Sequence, residues 1–307
     1  SFHQSGGHEE ASSASKEAPD SGRLSSSGPN LQQVPNHYDD LRPYAAVWGK
    51  KIRAAFTAPT GSVLFTADFS QQEPRIGAGV SGDEVLLYDL EHGDVYCRVA
   101  TRVYGRTISK AEKEERQTGK RCFMAWLNGS EGHQFKDSAP WLSEGEARRI
   151  AAWIGQQYPT FQAFRASTID FLREHGYVET AFGRRRYLPG IYSPLDSDRR
   201  KAAREAIIVP IQGTAADILK LCMVKLHRHQ FFQNGWMKLV LVVHDEVVGE
   251  VWPPLLSEDG WPNADVNHLL TTLADGLLPV RLPIEVGYGP DWATCLPLSE
   301  LRSVRKV

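Results

Sequence analysis

The chain is poor in several features that mark particular protein classes. Its 307 residues include four cysteines, which form no CxxC pair. That spacing disfavours a disulfide framework or a zinc site and predicts reduced thiols inside a cell. We find no signal peptide and no apolar run of membrane-spanning length; the most apolar stretch, Leu239–Val243, is strand-sized. We therefore expect a cytoplasmic protein that does not use a membrane.

An excess of positive charge is also lacking. The chain carries 35 Lys and Arg against 37 Asp and Glu, a net charge of -2. This balance weighs weakly against nucleic acid as the partner, because phosphate binding needs clustered cations. Clusters do occur, with two tyrosines among the basic residues: Arg184, Arg185, Arg186, Tyr187, Tyr192, Arg199, Arg200, Lys201 and Arg204. Such a stretch either follows a phosphate backbone or is ordinary surface charge.

The order of the local patterns predicts an α+β fold with a helical subdomain inserted into a sheet-based one. An apolar run over Ser62–Ser70 predicts a buried strand, and a second β-rich region, Met237–Val251, predicts a hairpin with His244, Asp245 and Glu246 at its tip. Amphipathic patterns between them predict helices over Lys110–Gly129, Leu142–Tyr158 and Thr160–Gly176. A hairpin turning at Gly183, helical periodicity on both sides of Pro210, and a late strand near Leu282–Trp292 complete the plan.

Two acids stand out because they lie in apolar, strand-like surroundings. Asp68 ends the first strand and Asp245 interrupts the second β-rich region. Two such carboxylates, if brought together, would repel each other, and divalent cations would relieve that repulsion and could organise a phosphoryl transfer. The alternative is that each acid is a strand-end residue that faces water.

One face of the predicted helix over 110–129 carries two cations. Arg116 and Lys120 are one turn apart, and Met124 and Asn128 continue along the same face. A cationic stripe that ends in a small apolar patch would suit a nucleoside triphosphate. A solvated charged face is the alternative.

Several of these segments, taken in order, resemble the family A DNA polymerases, the group of bacterial DNA polymerase I and related phage enzymes. The resemblance is carried by six features in family order, which cover nearly everything from Gly22 to Trp292: SGRLSSSGPNLQQVP, TADFSQQEPR, the spacing of Arg116, Lys120 and Gly129, GYVETAFGRRRYLPG, PIQGTAADI and VHDE. The variant Gln72-Glu73-Pro74 points to a phage-type member.

The resemblance implies the polymerase right-hand fold, with an antiparallel-sheet palm and inserted helical fingers. It divides the chain into a flexible lead-in (1–22), a first palm part (23–83), fingers (84–205) and a second palm part (206–307). The family's thumb and exonuclease domain have no counterpart upstream of Arg23, so we expect another polypeptide or a missing segment to supply them.

The resemblance also implies template-directed DNA synthesis on primer-template DNA with deoxynucleoside triphosphates. Two Mg²⁺ ions, which Mn²⁺ could replace, would be held by Asp68, Asp245 and the carbonyl of Phe69, with Glu246 secondary. Arg116 and Lys120 would hold the triphosphate, Lys120 would protonate the pyrophosphate, and Glu73 would be a steric gate against ribonucleotides. Family positions that touch DNA correspond to Arg23, Asn30, Gln32, Arg204, Gln212 and His244.

The chain departs from the family pattern at the nucleotide pocket. Met124 stands where an aromatic residue is usual, Asn128 where a Tyr is usual, and Ile208 where an Asn is usual. A shift of the helix that lets Phe123 or Trp126 replace the missing aromatic ring is an alternative. Two other functions stay open: a degenerate polymerase-like module that binds DNA without synthesis, and a single-subunit RNA polymerase.

Overall fold

The computed structural model describes residues 2–4, 22–26, 30–34 and 43–304. The predicted lead-in (1–22) therefore lies mostly outside the described residues. The strands are β1 Phe2–Gln4, β2 Leu24–Ser26, β3 Val63–Phe69, β4 Tyr177–Glu179, β5 Arg185–Tyr187, β6 Met237–Val243, β7 Glu246–Val251 and β8 Ile284–Gly289. The α-helices are α1 Pro43–Ala54, α2 Gln72–Ser81, α3 Glu84–His92, α4 Val95–Tyr104, α5 Lys113–Leu127, α6 Glu144–Gln157, α7 Pro159–His175, α8 Asp196–Ile208, α9 Thr214–Arg228, α10 Gln230–Gln233, α11 Ala264–Thr271 and α12 Leu298–Val304. Short 3₁₀ turns cover Leu31–Gln33, His133–Asp137 and Pro189–Tyr192, and a π-helical turn covers Val209–Gly213.

The chain forms two compact units. One, here called the sheet unit, contains residues 1–72, 216–277 and 281–307; the other, the helical unit, contains 73–215 and 278–280. The sheet unit is built on four antiparallel strands in the order β6-β7-β3-β8. Central β3 is buried along almost its whole length, with Asp68 its one exposed residue. An apolar strand that carries a single accessible acid near its end is suited to present that acid from a rigid element.

Residues from distant parts of the sequence pack on this sheet. Leu64, Leu241, Val243, Val248 and Trp292 form one buried cluster, with Leu31 and Phe56 packed against it. On α9, the Lys225 ammonium donates to the carbonyl of Leu273 over 3.1 Å. The cluster joins β3, β6 and β7, the strands that carry or adjoin the two sequence-predicted metal acids.

The helical unit is centred on the packing of α4 against α5. Gly119 permits this approach, since a Cβ at that position would lie 2.2 Å from the Tyr96 carbonyl oxygen and 2.7 Å from the Ala100 nitrogen. Phe123 and Trp126 on α5 then join an aromatic cluster with Tyr96 of α4, Tyr158 between α6 and α7, and Phe161 of α7. The packing leaves the opposite face of α5 for polar residues.

A hairpin braces the π-helical turn. The Thr214 hydroxyl donates to the carbonyl of Pro210 over 2.5 Å and accepts from the amide of Ala181 over 2.9 Å. The Arg184 guanidinium donates to the carbonyl of Gly213 over 3.1 Å. A π-turn leaves backbone groups without their usual helical partners and is often found at functional sites. The loop of β4–β5 supplies partners for those groups.

The sequence-predicted elements are largely confirmed. The fold class is α+β with an antiparallel sheet, Ser143 caps α6 through a capping box, α7 ends at Gly176, and the β4–β5 hairpin turns at Gly183. One local prediction is wrong: Glu246 is the first residue of β7, paired with Val243 and Asp68, and not part of the hairpin tip. Pairing on both sides draws this residue into the sheet.

One helical run has the length and composition of a membrane span, contrary to the expectation from the sequence that no such run exists. It covers Asp196–Arg228 and includes the π-turn. Within the fold, 61% of its apolar window is buried. Core helices pass the same test, so the run is weak evidence for a membrane span.

Candidate active site

An acidic group occupies the end of the sheet where β3 meets the β6–β7 hairpin. Asp68 is the register partner of Glu246 on β7 and of Glu285 on β8. Asp245 lies in the turn directly before Glu246. Burial raises the pKa of Asp68 to about 7, and the charges of Asp245, Glu246 and Glu285 add to the rise. The Asp68 side chain still reaches solvent at the surface, while protein atoms around it displace much of its hydration.

Two residues hold Glu246 from the side. The Trp292 indole N–H donates to its carboxylate over 3.2 Å, and the Arg53 guanidinium lies 3.6 Å from Glu246 Oε2. Arg53 also stacks on Trp292, 3.9 Å from the ring centroid, and donates to the carbonyl of Val34. Burial raises the pKa of Glu246, and these two donors oppose that rise. The arrangement neutralises Glu246 more than it neutralises Asp68.

Left-handed backbone flanks both proposed metal acids. Gln71, three residues after Asp68, has φ 55°, and His244, directly before Asp245, has φ 57°. Residues other than glycine adopt this conformation at a cost and tend to do so at functional sites. His244 is exposed at the hairpin tip, and Asp245 follows it in the same turn, directly before β7.

The residues of this edge suit hard divalent cations. Carboxylate and carbonyl oxygens are the ligands such ions prefer, and a cation would offset the charge repulsion that acts on Asp68. Across the described ranges no group of three or more His, Cys, Asp and Glu side chains is arranged to hold a metal. The metal ligands predicted from the sequence, Asp68, Asp245 and the carbonyl of Phe69, stay a prediction.

The helical unit presents a second polar group, on α5. Arg116 and Lys120 share one face and both lie over the ring of Tyr96, with 5.1 Å from the guanidinium carbon and 5.8 Å from the ammonium to the ring centroid. Burial raises the pKa of Tyr96 to about 12, so its ring is neutral and attracts both cations. Asp94 completes the group, because its Oδ2 accepts from Arg116 Nε over 2.8 Å.

Asp94 also begins α4. Its Oδ1 accepts from the amide of Cys97 over 2.9 Å, as an N-cap does. Burial raises the pKa of Asp94, but the hydrogen bonds from Cys97 and Arg116 outweigh this and hold the pKa below its ordinary value. One carboxylate thus ties the start of α4 to the cationic face of α5.

The register of α5 follows the sequence expectation. Phe123 and Trp126 are 0% and 1% exposed and belong to the aromatic core, so neither ring is available on the polar face. Met124 and Asn128 are half-buried on the face that carries Lys120. The Oδ1 atom of Asn128 is buried and has no hydrogen-bond partner within the described ranges. The alternative in which the helix shifts to present an aromatic ring is not what the fold adopts.

Glu73 and Gln212 meet within the helical unit. The Gln212 amide donates to Glu73 Oε2 over 3.4 Å, so the π-turn and the first turn of α2 fix each other's side chains. A carboxylate held in this way has fewer rotamers open to it, as a steric filter requires.

The remaining sequence-predicted DNA contacts are dispersed. Asn30 Oδ1 accepts from the Gln32 amide over 3.1 Å, and the Gln32 side chain donates to the carbonyl of Leu24 over 2.8 Å, so both side chains support a local turn. Arg23 directly precedes β2. Arg204 is exposed on α8. The sequence analysis missed Asp94, Tyr96, Arg53 and Trp292, although an Asp at the start of a helical pattern was a capping signal for Asp94.

The chain is similar in sequence to several known proteins. The model of DNA polymerase family A matches residues 9–294. DNA polymerase I of Chloroflexus aurantiacus is 33% identical over 285 residues, which cover 91% of this chain and 28% of that protein. The thermostable DNA polymerase I of Thermus aquaticus is 35% identical over 274 residues, 88% of this chain and 31% of that protein.

A solved structure has a similar fold. It is the polymerase domain of Pol1 from M. smegmatis in complex with a DNA primer-template and dNTP, with a TM-score of 0.75 and 31% identity over 90% of this chain and 46% of that one. The chain spans less than a third of the length of the Chloroflexus aurantiacus and Thermus aquaticus enzymes. Because the family model covers almost the whole described sequence and the relatives match it throughout, the chain belongs to DNA polymerase family A.

Proposed function

We propose that this chain catalyses template-directed DNA synthesis, in which a deoxynucleotide is added to a primer 3′-hydroxyl and pyrophosphate is released. The observation that carries the proposal is the acidic edge around Asp68, where burial and the charges of Asp245 and Glu246 raise the pKa of Asp68 to about 7. Repulsion between carboxylates on one edge destabilises the fold, and bound divalent cations would offset that repulsion.

Family A polymerases in general use divalent metal ions, and we propose two Mg²⁺ ions here, replaceable by Mn²⁺. Asp68, Asp245 and the carbonyl of Phe69 would hold them. When bound, such ions lower the pKa of the primer hydroxyl and neutralise the triphosphate and the leaving pyrophosphate. Arg53 and Trp292 keep Glu246 engaged to the side, which leaves Asp68 and Asp245 for the metals.

The cationic face of α5 would bind the triphosphate. Arg116, held by Asp94 through Nε, has its two terminal nitrogens left for phosphate oxygens, and Lys120 adds a compact charge one turn away. In the reaction the primer 3′-hydroxyl would lose its proton to solvent, its oxygen would form a bond to the α-phosphorus, and the bond from that phosphorus to the bridging oxygen of pyrophosphate would break. The Lys120 ammonium would give its proton to that leaving oxygen.

Selection of the nucleotide and contact with DNA would fall to other residues. Glu73, oriented by Gln212, would exclude a 2′-hydroxyl, and Met124 with Asn128 would line the base and sugar pocket. Contacts to primer, template or the new pair would come from Arg23, Asn30, Gln32, Arg204, Gln212 and His244. We propose that the protein acts in the cytoplasm of a bacterium or a phage-infected cell, with thumb and exonuclease functions supplied by another polypeptide or segment.

The decisive experiment is primer extension with Mg²⁺ by the wild type, by Asp68→Asn and by Asp245→Asn. Both variants should lose several orders of magnitude in rate, because the removed charge cannot hold the metals. Asp265→Asn, an exposed acid of the same unit, is the matched control and should extend normally.

The same assay decides between the alternatives. A folded wild type that binds primer-template DNA without extending it would make the chain a DNA-binding module. Preferred use of ribonucleotides would make it an RNA polymerase. Near-normal extension by either metal-acid variant would refute the assignment of the metal site.

A further inference from the structure

A cavity of about 640 Å³ opens in the helical unit beside the end of α5. Three arginines contribute to its wall, Arg165 from α7 and Arg200 and Arg204 from α8, and Glu131 is the one acid that lines it. A neighbouring cavity of about 790 Å³ shares Arg165 and Glu131 with it. Arg165 therefore stands in the wall between two cavities. The sequence analysis gave this residue no role.

Arg165 is an unusual cation because it is only 6% exposed. Its guanidinium lies 5.6 Å from the centroid of the Trp126 ring, and Nη1 donates to the Gln162 side chain over 3.1 Å. Its Nε is buried with no hydrogen-bond partner in the described part of the chain. Burial lowers the pKa of Arg165, and the charge of Glu131 opposes this without forming an ion pair. A buried charge that lacks a partner costs stability unless a counter-ion is supplied.

The aliphatic part of the Arg204 side chain and the Arg165 guanidinium both lie near residue 129. The Cγ of Arg204 lies 4.0 Å, and the Nη2 of Arg165 lies 3.9 Å, from the place that a Cβ of residue 129 would occupy. Residue 129 is glycine with φ 89° and contributes no side chain there, and the nearest atom to that place is Ile207 Cδ1 at 3.2 Å. Arg200 is engaged by Asp196 at 2.6 Å, whereas neither Arg165 nor Arg204 forms an ion pair among the described residues. Two arginines without carboxylate partners among the described residues thus line a cavity that Gly129 and Ile207 also border.

We infer that this cavity is a phosphate-binding subsite, in which Arg165 and Arg204 together hold one phosphate group. The guanidinium fork matches phosphate oxygens in shape and charge, and a buried, oriented fork loses little entropy on binding. The phosphate belongs either to the backbone of a single-stranded nucleic acid or to a free nucleotide. The inference extends the proposed function, since Arg204 is one of the residues proposed to contact DNA, but Arg165 has no part in the proposed chemistry.

Binding of a fluorescent oligo-dT, followed by anisotropy in EDTA and without nucleotides, tests this directly. Arg165→Met keeps a long side chain against Trp126 and removes the charge. It should weaken binding by about tenfold and reduce the salt dependence by about 0.7 in the log–log slope, as expected for one lost phosphate contact. The matched control is Arg173→Met, which removes an exposed arginine on the same helix that is paired with Asp170. It should change binding by less than about twofold.

Further variants keep the test decisive if Arg165→Met folds poorly. Arg204→Met alters an exposed residue and should weaken binding similarly, and combining both changes should cost little more than either alone, because both side chains would hold the same phosphate. Arg165→Lys keeps the charge without the fork and should give an intermediate loss. Equal binding by Arg165→Met and Arg173→Met, or additive losses in the double variant, would overturn the subsite.

Competition identifies the source of the phosphate. Displacement of the oligonucleotide by dTMP at matched phosphate concentration, dependent on Arg165, would assign the subsite to a free nucleotide. Failure of dTMP and of inorganic phosphate to compete would assign it to a strand backbone. The measurement needs neither metal nor synthesis, so primer extension by the wild type, run in parallel, reports separately on the proposed function.

Discussion

Asp94 offers a sharp test of how the proposed triphosphate site is organised, because its two carboxylate oxygens make separate contacts. Oδ1 caps α4 and Oδ2 orients Arg116. Asp94→Asn keeps an oxygen for the cap, and Asn is as good an N-cap as Asp. It places an amide N–H₂ or a neutral oxygen opposite Arg116 Nε, so the charge-assisted bond is lost while α4 still begins normally.

The size of the effect follows from the exposure of the pair. The Arg116 side chain is 30% exposed and that of Asp94 is 10%, which lies between a surface and a buried ion pair. Orientation of one arginine by such a bond is worth about 1 kcal/mol, or about fivefold in affinity. An opposing effect is the repulsion between Asp94 and the triphosphate. Across about 8 Å of water it amounts to about 0.5 kcal/mol per charge, which salt at about 0.15 M reduces to about 0.2 kcal/mol, so about two net charges on a metal-bound triphosphate would contribute about 0.4 kcal/mol. Orientation should therefore outweigh repulsion.

Single-nucleotide incorporation by Asp94→Asn should show a KM for deoxynucleotide raised about fivefold with kcat nearly unchanged, as for a loss of uniform binding. Asp89→Asn is the matched control, because it removes another acid of the helical unit that is paired with an arginine, Arg98. In an Arg116→Ala background the Asp94 change should have no further effect. An unchanged KM, a lowered KM, or an equal effect in both backgrounds would refute the reasoning.

Further predictions concern the proposed nucleotide pocket and the acidic edge around Asp68. Glu73→Ala should raise the incorporation of ribonucleotides relative to deoxynucleotides, measured as a ratio of kcat/KM values, and an unchanged ratio would remove Glu73 as the gate. Met124→Phe should lower the KM for deoxynucleotides several-fold, since an aromatic stack adds about 1 kcal/mol over a flexible thioether, while Asn128→Tyr should reduce misincorporation. The metal-free protein should lose stability as pH rises from about 4 towards 7, because folded Asp68 retains a proton that the unfolded chain, with a pKa near 3.8, has already released. The full pKa shift of Asp68 would correspond to about 4 kcal/mol, but exposure of the side chain reduces the effect on the free energy of unfolding to about 1 kcal/mol. Denaturation in EDTA should therefore show the wild type less stable at pH 8 than at pH 5, and Asp68→Asn should lose this difference.

Features set by local periodicity could be predicted from the sequence. The face shared by Arg116, Lys120, Met124 and Asn128 required only the helical repeat, and the caps at Ser143 and Gly176 required only residue type. The strand that carries Asp68 was visible as an apolar run. These predictions succeeded because helix and strand geometry fix them without reference to the rest of the fold.

Features created by long-range packing could not be predicted. The position of Glu246 depends on pairing with β3, which is remote in sequence, and the cluster of Arg53 and Trp292 around it joins residues far apart in the chain. The π-turn depends on Thr214 and on the β4–β5 hairpin. None of these contacts leaves a periodic signal, because each arises only when separate segments meet.

Each of the two units carries charged side chains that lack a partner of opposite charge among the described residues. In the sheet unit, Arg53 and Trp292 engage Glu246, while Asp68 is left among acids that raise its pKa. In the helical unit, neither Lys120 nor Arg165 has a carboxylate partner among the described residues, although carboxylates such as Asp94 and Glu131 are near. A protein selected for stability alone would pair these charges, so unpaired acids on one unit and unpaired cations on the other are a cost that function must explain. Under the proposed function, divalent cations would offset the charge of the acids in the sheet unit, and phosphate groups would offset that of the cations in the helical unit.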